Sequence, residues 1–76
     1  MSENKLEIIK KIILLVLNNS SLETDVSITI DTHLRDTLGL DSLALAELAV
    51  RIEDEFDVDV FEDGLVNTVD EILQKI

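Results

Sequence analysis

Eight large aliphatic residues, Leu6, Ile8, Ile9, Ile12, Ile13, Leu15, Val16 and Leu17, crowd the first seventeen positions of this chain. At helical spacing they fill more than half of the circumference, leaving Glu7, Lys10, Lys11 and Asn18 to share the rest with Leu14. So wide an apolar arc cannot be buried against a single neighbour. The helix it predicts, from about Glu3 to Asn18, has to sit at the centre of a bundle and touch more than one other helix. With 76 residues there is room for one domain, 1–76, and a modest core. The chain has no Cys and no Cys/His cluster to staple it, so helix packing has to hold the fold.

The remaining helices follow from the same periodicity. A second is expected from Asp41 or Ser42, either of which can cap it, to about Phe56, with Leu45, Leu48, Ala49, Ile52 and Phe56 as its core stripe. A short third piece is expected around Glu62 to Val66, weakened by Gly64. Thr68-Val69-Asp70-Glu71 reads as a capping box, and Val69, Ile72, Leu73 and Ile76 give the stripe of a last core helix. Between the first two major helices lies a long segment. Val26, Ile28 and Ile30 alternate with Ser27 and Thr29 as in a strand, but no long partner strand exists. The expectation is an extended loop with its apolar side chains on the bundle, then a helical turn from Leu34 that Gly39 ends. The fold class is therefore all-α, a small four-helix bundle of three major helices and one short one, with a long loop between the first two major helices.

Charge narrows the partners. The net charge is −11, distributed as +1 over residues 1–17, −3 over 18–40 and −9 over 41–76. Such a surface repels phosphate backbones, which argues against nucleic acid, and it favours proteins with basic docking patches. Plain solubility is the simpler explanation of the same acidity. The longest apolar run, Ile12 to Leu17, is six residues, too short to span a bilayer. A cytoplasmic monomer without membrane insertion is expected.

Most chemistry is excluded. His33 is the only histidine, and its loop position favours a solvated or capping role over a place in a Ser-His-Asp arrangement. Gly39 and Gly64 are the only glycines, so there is no phosphate-binding glycine loop. Asp57, Asp59 and Asp63 are spaced like a calcium loop, but Phe61 and Glu62 fall where an oxygen ligand and a glycine are needed. No catalytic residue and no metal site is expected.

What remains is a surface on the second helix. Leu43, Ala46 and Val50 lie opposite the core stripe with Glu47, Glu53 and Asp54 around them, the pattern of a docking face. At its top, Leu38-Gly39-Leu40-Asp41-Ser42-Leu43 ends a loop in a serine at a helix start. Taken alone, that serine could be an ordinary N-cap.

The segment resembles the attachment motif of the acyl carrier protein family. Glu47-Leu48, Glu53-Asp54-Glu55-Phe56 and Thr68-Val69 through the final helix fall at the family's spacings, so the resemblance covers Leu34 to Ile76 well and Leu6 to Leu17 in pattern. It implies that Ser42, framed by Asp41 and Leu43, receives 4'-phosphopantetheine from coenzyme A through a phosphopantetheinyl transferase. It also implies an acyl or aminoacyl cargo held as a thioester on the arm and worked on by acyl-transferring or adenylating enzymes. Ala44 and Ala46 stand where many fatty-acid carriers have an acidic and a larger apolar residue, and Phe61 replaces a frequent Pro. These departures point towards a specialised pathway, in fatty-acid, polyketide or related biosynthesis. Other readings are a free-standing aminoacyl or peptidyl carrier, a plain helical interaction module without a prosthetic group, and a minimal hydrolase using Ser42 and His33.

Overall fold

Three helices carry the fold in the computed structural model, which describes residues 4–64 and 66–76. Helix α1 spans Lys5–Asn19, α2 spans Ser42–Phe56 and α3 spans Val69–Lys75. Asn4 starts α1 by accepting the Glu7 N–H at 2.9 Å. Glu3, where the helix was expected to begin, lies outside the described residues. At the other end, Leu22 donates to the Leu17 carbonyl at 2.8 Å and Ser21 to that of Asn18 at 3.2 Å. Ser21 adopts the left-handed conformation, φ 59°, that this reversal requires. The Asn18-Asn19-Ser20-Ser21 stop signal thus becomes a Schellman turn, and Leu22 folds back against the core.

Ile9, Ile13, Val16 and Leu17 of α1 are fully buried, and α1 packs against both α2 and α3. They meet Ala44, Leu45, Leu48 and Ile52 of α2 and Val69 and Ile72 of α3 in one cluster. Complete burial of each such aliphatic side chain contributes about 1.5–3 kcal/mol. The arc is nevertheless wider than its neighbours cover: Leu15 is 44% exposed, while Leu14, outside the arc, is exposed as expected. One of those neighbours, α3, has only seven residues.

The short helix expected over Glu62 to Val66 is replaced, among the described residues, by turns over 60–63; Leu65 lies outside them. Asp59 is the physical reason. Its carboxylate accepts the Phe61 N–H at 3.1 Å and its carbonyl the Glu62 N–H at 3.2 Å, an arrangement that competes with helix. Gly64, at φ 130°, turns the chain again. Val60 and Val66 still anchor this stretch to the core.

The segment from 20 to 41 holds turns and an isolated bridge but no helix or strand, and it works as a strap. Ile28, Leu34, Leu38 and Leu40 are buried, whereas Ile30, expected on the bundle, is 43% exposed. An isolated antiparallel bridge joins His33 to Thr68. The strap's carbonyls at Thr32 and Ile30 accept the first N–H groups of α3, from Val69 at 3.1 Å and Asp70 at 2.9 Å. In return Leu34 donates to the Asn67 carbonyl at 2.8 Å. With the capping box formed between Thr68 and Glu71, the start of α3 is satisfied from two directions. The strap then turns at 34–38 and delivers the chain, through Gly39 at φ 79°, to the start of α2.

Candidate functional site

Which residue caps α2 decides what Ser42 is free to do. The cap is Asp41: its carboxylate accepts the Ala44 N–H at 2.8 Å and its carbonyl the Leu45 N–H at 2.8 Å. Ser42 is therefore the first residue inside the helix, exposed, with its hydroxyl not used for capping. The Ser42 and Leu43 N–H groups have no partner among the described residues. An oxygen-linked phosphate at Ser42 would lie beside those open donors and the positive end of the helix dipole, so the local geometry fits a phosphodiester. His33 makes no hydrogen bond to Ser42 among the described residues; its carbonyl instead accepts from Thr37 and Leu38.

Below Ser42 the outer face of α2 forms an open groove of about 1140 Å³ that brings together Leu43, Ala46, Glu47, Val50, Glu53 and Asp54. Leu43 is 81% and Val50 65% exposed, the two most exposed large hydrophobic residues described. Glu53 and Asp54 are exposed on its rim. All six residues of the expected docking face thus share one surface.

Two further residues belong to it that the sequence reading passed over. Asn19, at the end of α1, donates to Glu47 Oε2 at 3.0 Å, and Arg51 donates to the same oxygen through Nε at 3.0 Å. The Asn19 hydrogen bond first, then that from Arg51, hold the Glu47 carboxyl below the usual carboxylate range. Glu47 is therefore a tethered, partly neutralised acid, unlike Glu53 and Asp54. The four-residue spacing of Glu47 and Arg51 on one helix was the available signal.

Among the described residues no group of three or more His, Cys, Asp and Glu side chains could hold a metal ion, and no helix is long and apolar enough to cross a membrane.

A model of the phosphopantetheine attachment site matches residues 7–76. An acyl carrier protein of Phytoplasma australiense is 38% identical over 68 residues, covering 87% of this chain and 88% of the relative. No solved structure matches. The chain belongs to the phosphopantetheine-bearing carrier family of the acyl carrier proteins. It is a carrier, not an enzyme, and its prosthetic group is 4'-phosphopantetheine.

Proposed function

We propose that Ser42 is the attachment point and that this chain, acting as one domain and a monomer in the cytoplasm, carries acyl intermediates between enzymes of fatty-acid, polyketide or related biosynthesis. The observation that carries this reading is the division of labour between neighbours: Asp41 caps α2, so the Ser42 hydroxyl stays exposed and available. A phosphopantetheinyl transferase moves the 4'-phosphopantetheine of coenzyme A to Ser42 Oγ: the new P–O bond forms as the pyrophosphate bond of coenzyme A breaks, adenosine 3',5'-bisphosphate leaves, and the hydroxyl proton passes to a base of the transferase. The open N–H groups of Ser42 and Leu43 would hold the phosphate oxygens. When attached, the arm supplies the thiol that this Cys-free chain lacks.

Leu43, Ala46 and Val50 supply apolar contact to the partner, while Glu53 and Asp54, with Glu47, meet its basic patch and orient it.

The test is intact mass after incubation with coenzyme A and a transferase. The parent chain should gain one arm and Ser42→Ala none. A modified Ser42→Ala variant would sink the assignment.

The Glu47–Arg51 pair favours a second reading, an aminoacyl or peptidyl carrier, because it lowers the free acidity along α2. Loading of the modified chain by an adenylating enzyme and not by an acyl transferase would select it.

A further inference from the structure

A second cavity, of about 450 Å³, opens on the other side of Asp41, between the strap and the start of α3. It is an open pocket at the surface, lined by the exposed His33, Arg35, Asp36, Asp41 and Asn67 together with Gly39 and Leu40. Three of these residues hold the fold through their backbones alone. The His33 carbonyl accepts from Thr37 and Leu38, and the Arg35 carbonyl accepts from Gly39. The Asn67 carbonyl accepts from Leu34, and its N–H donates to Glu71. Their side chains make no hydrogen bond or ion pair with any described residue. Arg35 is exposed and, among the described residues, its guanidinium is uncommitted.

The chemistry of the cavity defines its occupant. Asp36 and Asp41 would repel a second anion, so the phosphate itself stays at the α2 start. A wall that is mostly polar also suits an alkyl cargo poorly. The wall suits a neutral chain of amides and hydroxyls: Arg35 donates only, Asp36 accepts only, and the Asn67 carboxamide does both. The middle of a phosphopantetheine arm has that composition, and Asp41 is the residue next to its point of attachment. We propose that, in the resting carrier, the arm on Ser42 turns back over Asp41 into this cavity. There Arg35 and Asn67 hold its amide groups, away from the α2 docking groove. A pocket of about 450 Å³ lies in the lower range of ligand sites. The inference rests on Ser42 being the attachment point.

The experiment compares amide and side-chain NMR resonances of the ¹⁵N-labelled chain before and after attachment of the arm. Arg35 Nε–H, the Asn67 carboxamide and the Gly39 amide should shift on attachment. In Arg35→Ala the Asn67 and Gly39 shifts should shrink, and in Asn67→Ala those of Arg35 and Gly39, with the backbone bonds of the strap kept, while mass spectrometry still finds the arm on Ser42. Shifts confined to residues 42–46, or running down the groove towards Asp54, overturn the inference and leave the attachment reading intact. An arm that appears in Ser42→Ala overturns that reading, and this inference with it.

Discussion

At its N-terminal end α2 is capped by Asp41, has no acid in its first turn and leaves the Ser42 and Leu43 N–H groups open. Its C-terminal end gathers Glu53, Asp54, Glu55 and Asp57 with no basic residue in the last turn. The helix dipole makes the first end favourable for a negative group and the second unfavourable for the four it carries. The N-terminal end thus keeps two open donors beside the Asp41 cap, where the phosphate proposed on Ser42 would lie. The acids at the C-terminal end cost stability, which is what placement for a partner, rather than for the fold, would produce.

The largest stability effect separates the two neighbours at the start of the helix. Asp41→Ala should lower stability by about 0.5–2 kcal/mol, the range for a lost N-cap. Ser42→Ala should stay within about 0.5 kcal/mol of the parent, because its hydroxyl caps nothing. Urea unfolding of both variants measures the difference. Equal losses would mean that the cap is shared and that Ser42 is not free.

The opposite end should respond with the opposite sign. Replacing Glu53 and Asp54 by Lys should stabilise the chain by about 0.3–1 kcal/mol per site, through the dipole. The same change should slow arm transfer at low salt, and the slowing should fade as salt rises. These two are chosen because Glu47 is tied to Asn19 and Arg51, so reversing it would also disturb the fold. Unchanged transfer at low salt would reduce the acidity to plain solubility.

A smaller gain is expected from Asp57→Gly. Asp57 ends α2 at φ 61°, a conformation an L residue adopts at a cost and Gly adopts freely. Thermal unfolding should show a rise corresponding to about 0.5–1 kcal/mol. A fall would mean that the carboxylate makes a stabilising contact.

How much of this could be read from residue order depends on the reach of each interaction. The core stripes of α1, α2 and α3 were legible because a 3.6-residue period is local. So was the face formed by Leu43, Ala46 and Val50, left over once Leu45, Leu48 and Ile52 are assigned inward. The choice between Asp41 and Ser42 as cap was not legible, since both side chains can accept and only backbone geometry chooses between them. The strap was seen as an alternation at Val26, Ile28 and Ile30. Its partner, the start of α3, lies about 35 residues away, as in the bridge of His33 to Thr68, and carries no strand pattern. The short helix expected at Glu62 gave way to an Asp59 side-chain turn, where local hydrogen bonding competes with helix on nearly equal terms. The Asn19 contact to Glu47 crosses 28 residues and follows no period, so only folding reveals it.

That contact yields the subtlest prediction. Glu47 is held below the usual carboxylate range by the Asn19 hydrogen bond and then by Arg51. A carboxyl whose folded pKa lies below its unfolded one contributes stability that is complete above the unfolded value. The contribution is lost as pH falls through the folded value. Acidification has a second effect of opposite sign, because protonating the other carboxylates relieves the repulsion in a chain of net charge −11. The pH profile of the parent alone therefore mixes the two. Glu47→Gln separates them, since it retains a hydrogen-bond acceptor but no titration, while the remaining acids respond alike in both chains. The melting-temperature advantage of the parent should be full at neutral pH and shrink as pH falls below the ordinary glutamate range. The groove side of Glu47 is open to solvent, so the difference should also narrow with added salt. An advantage that stays constant from neutral to acid pH would show that the ionised form of Glu47 is no better bound in the folded chain than in the unfolded one. The tether between the end of α1 and the docking face would then be a contact without energetic consequence.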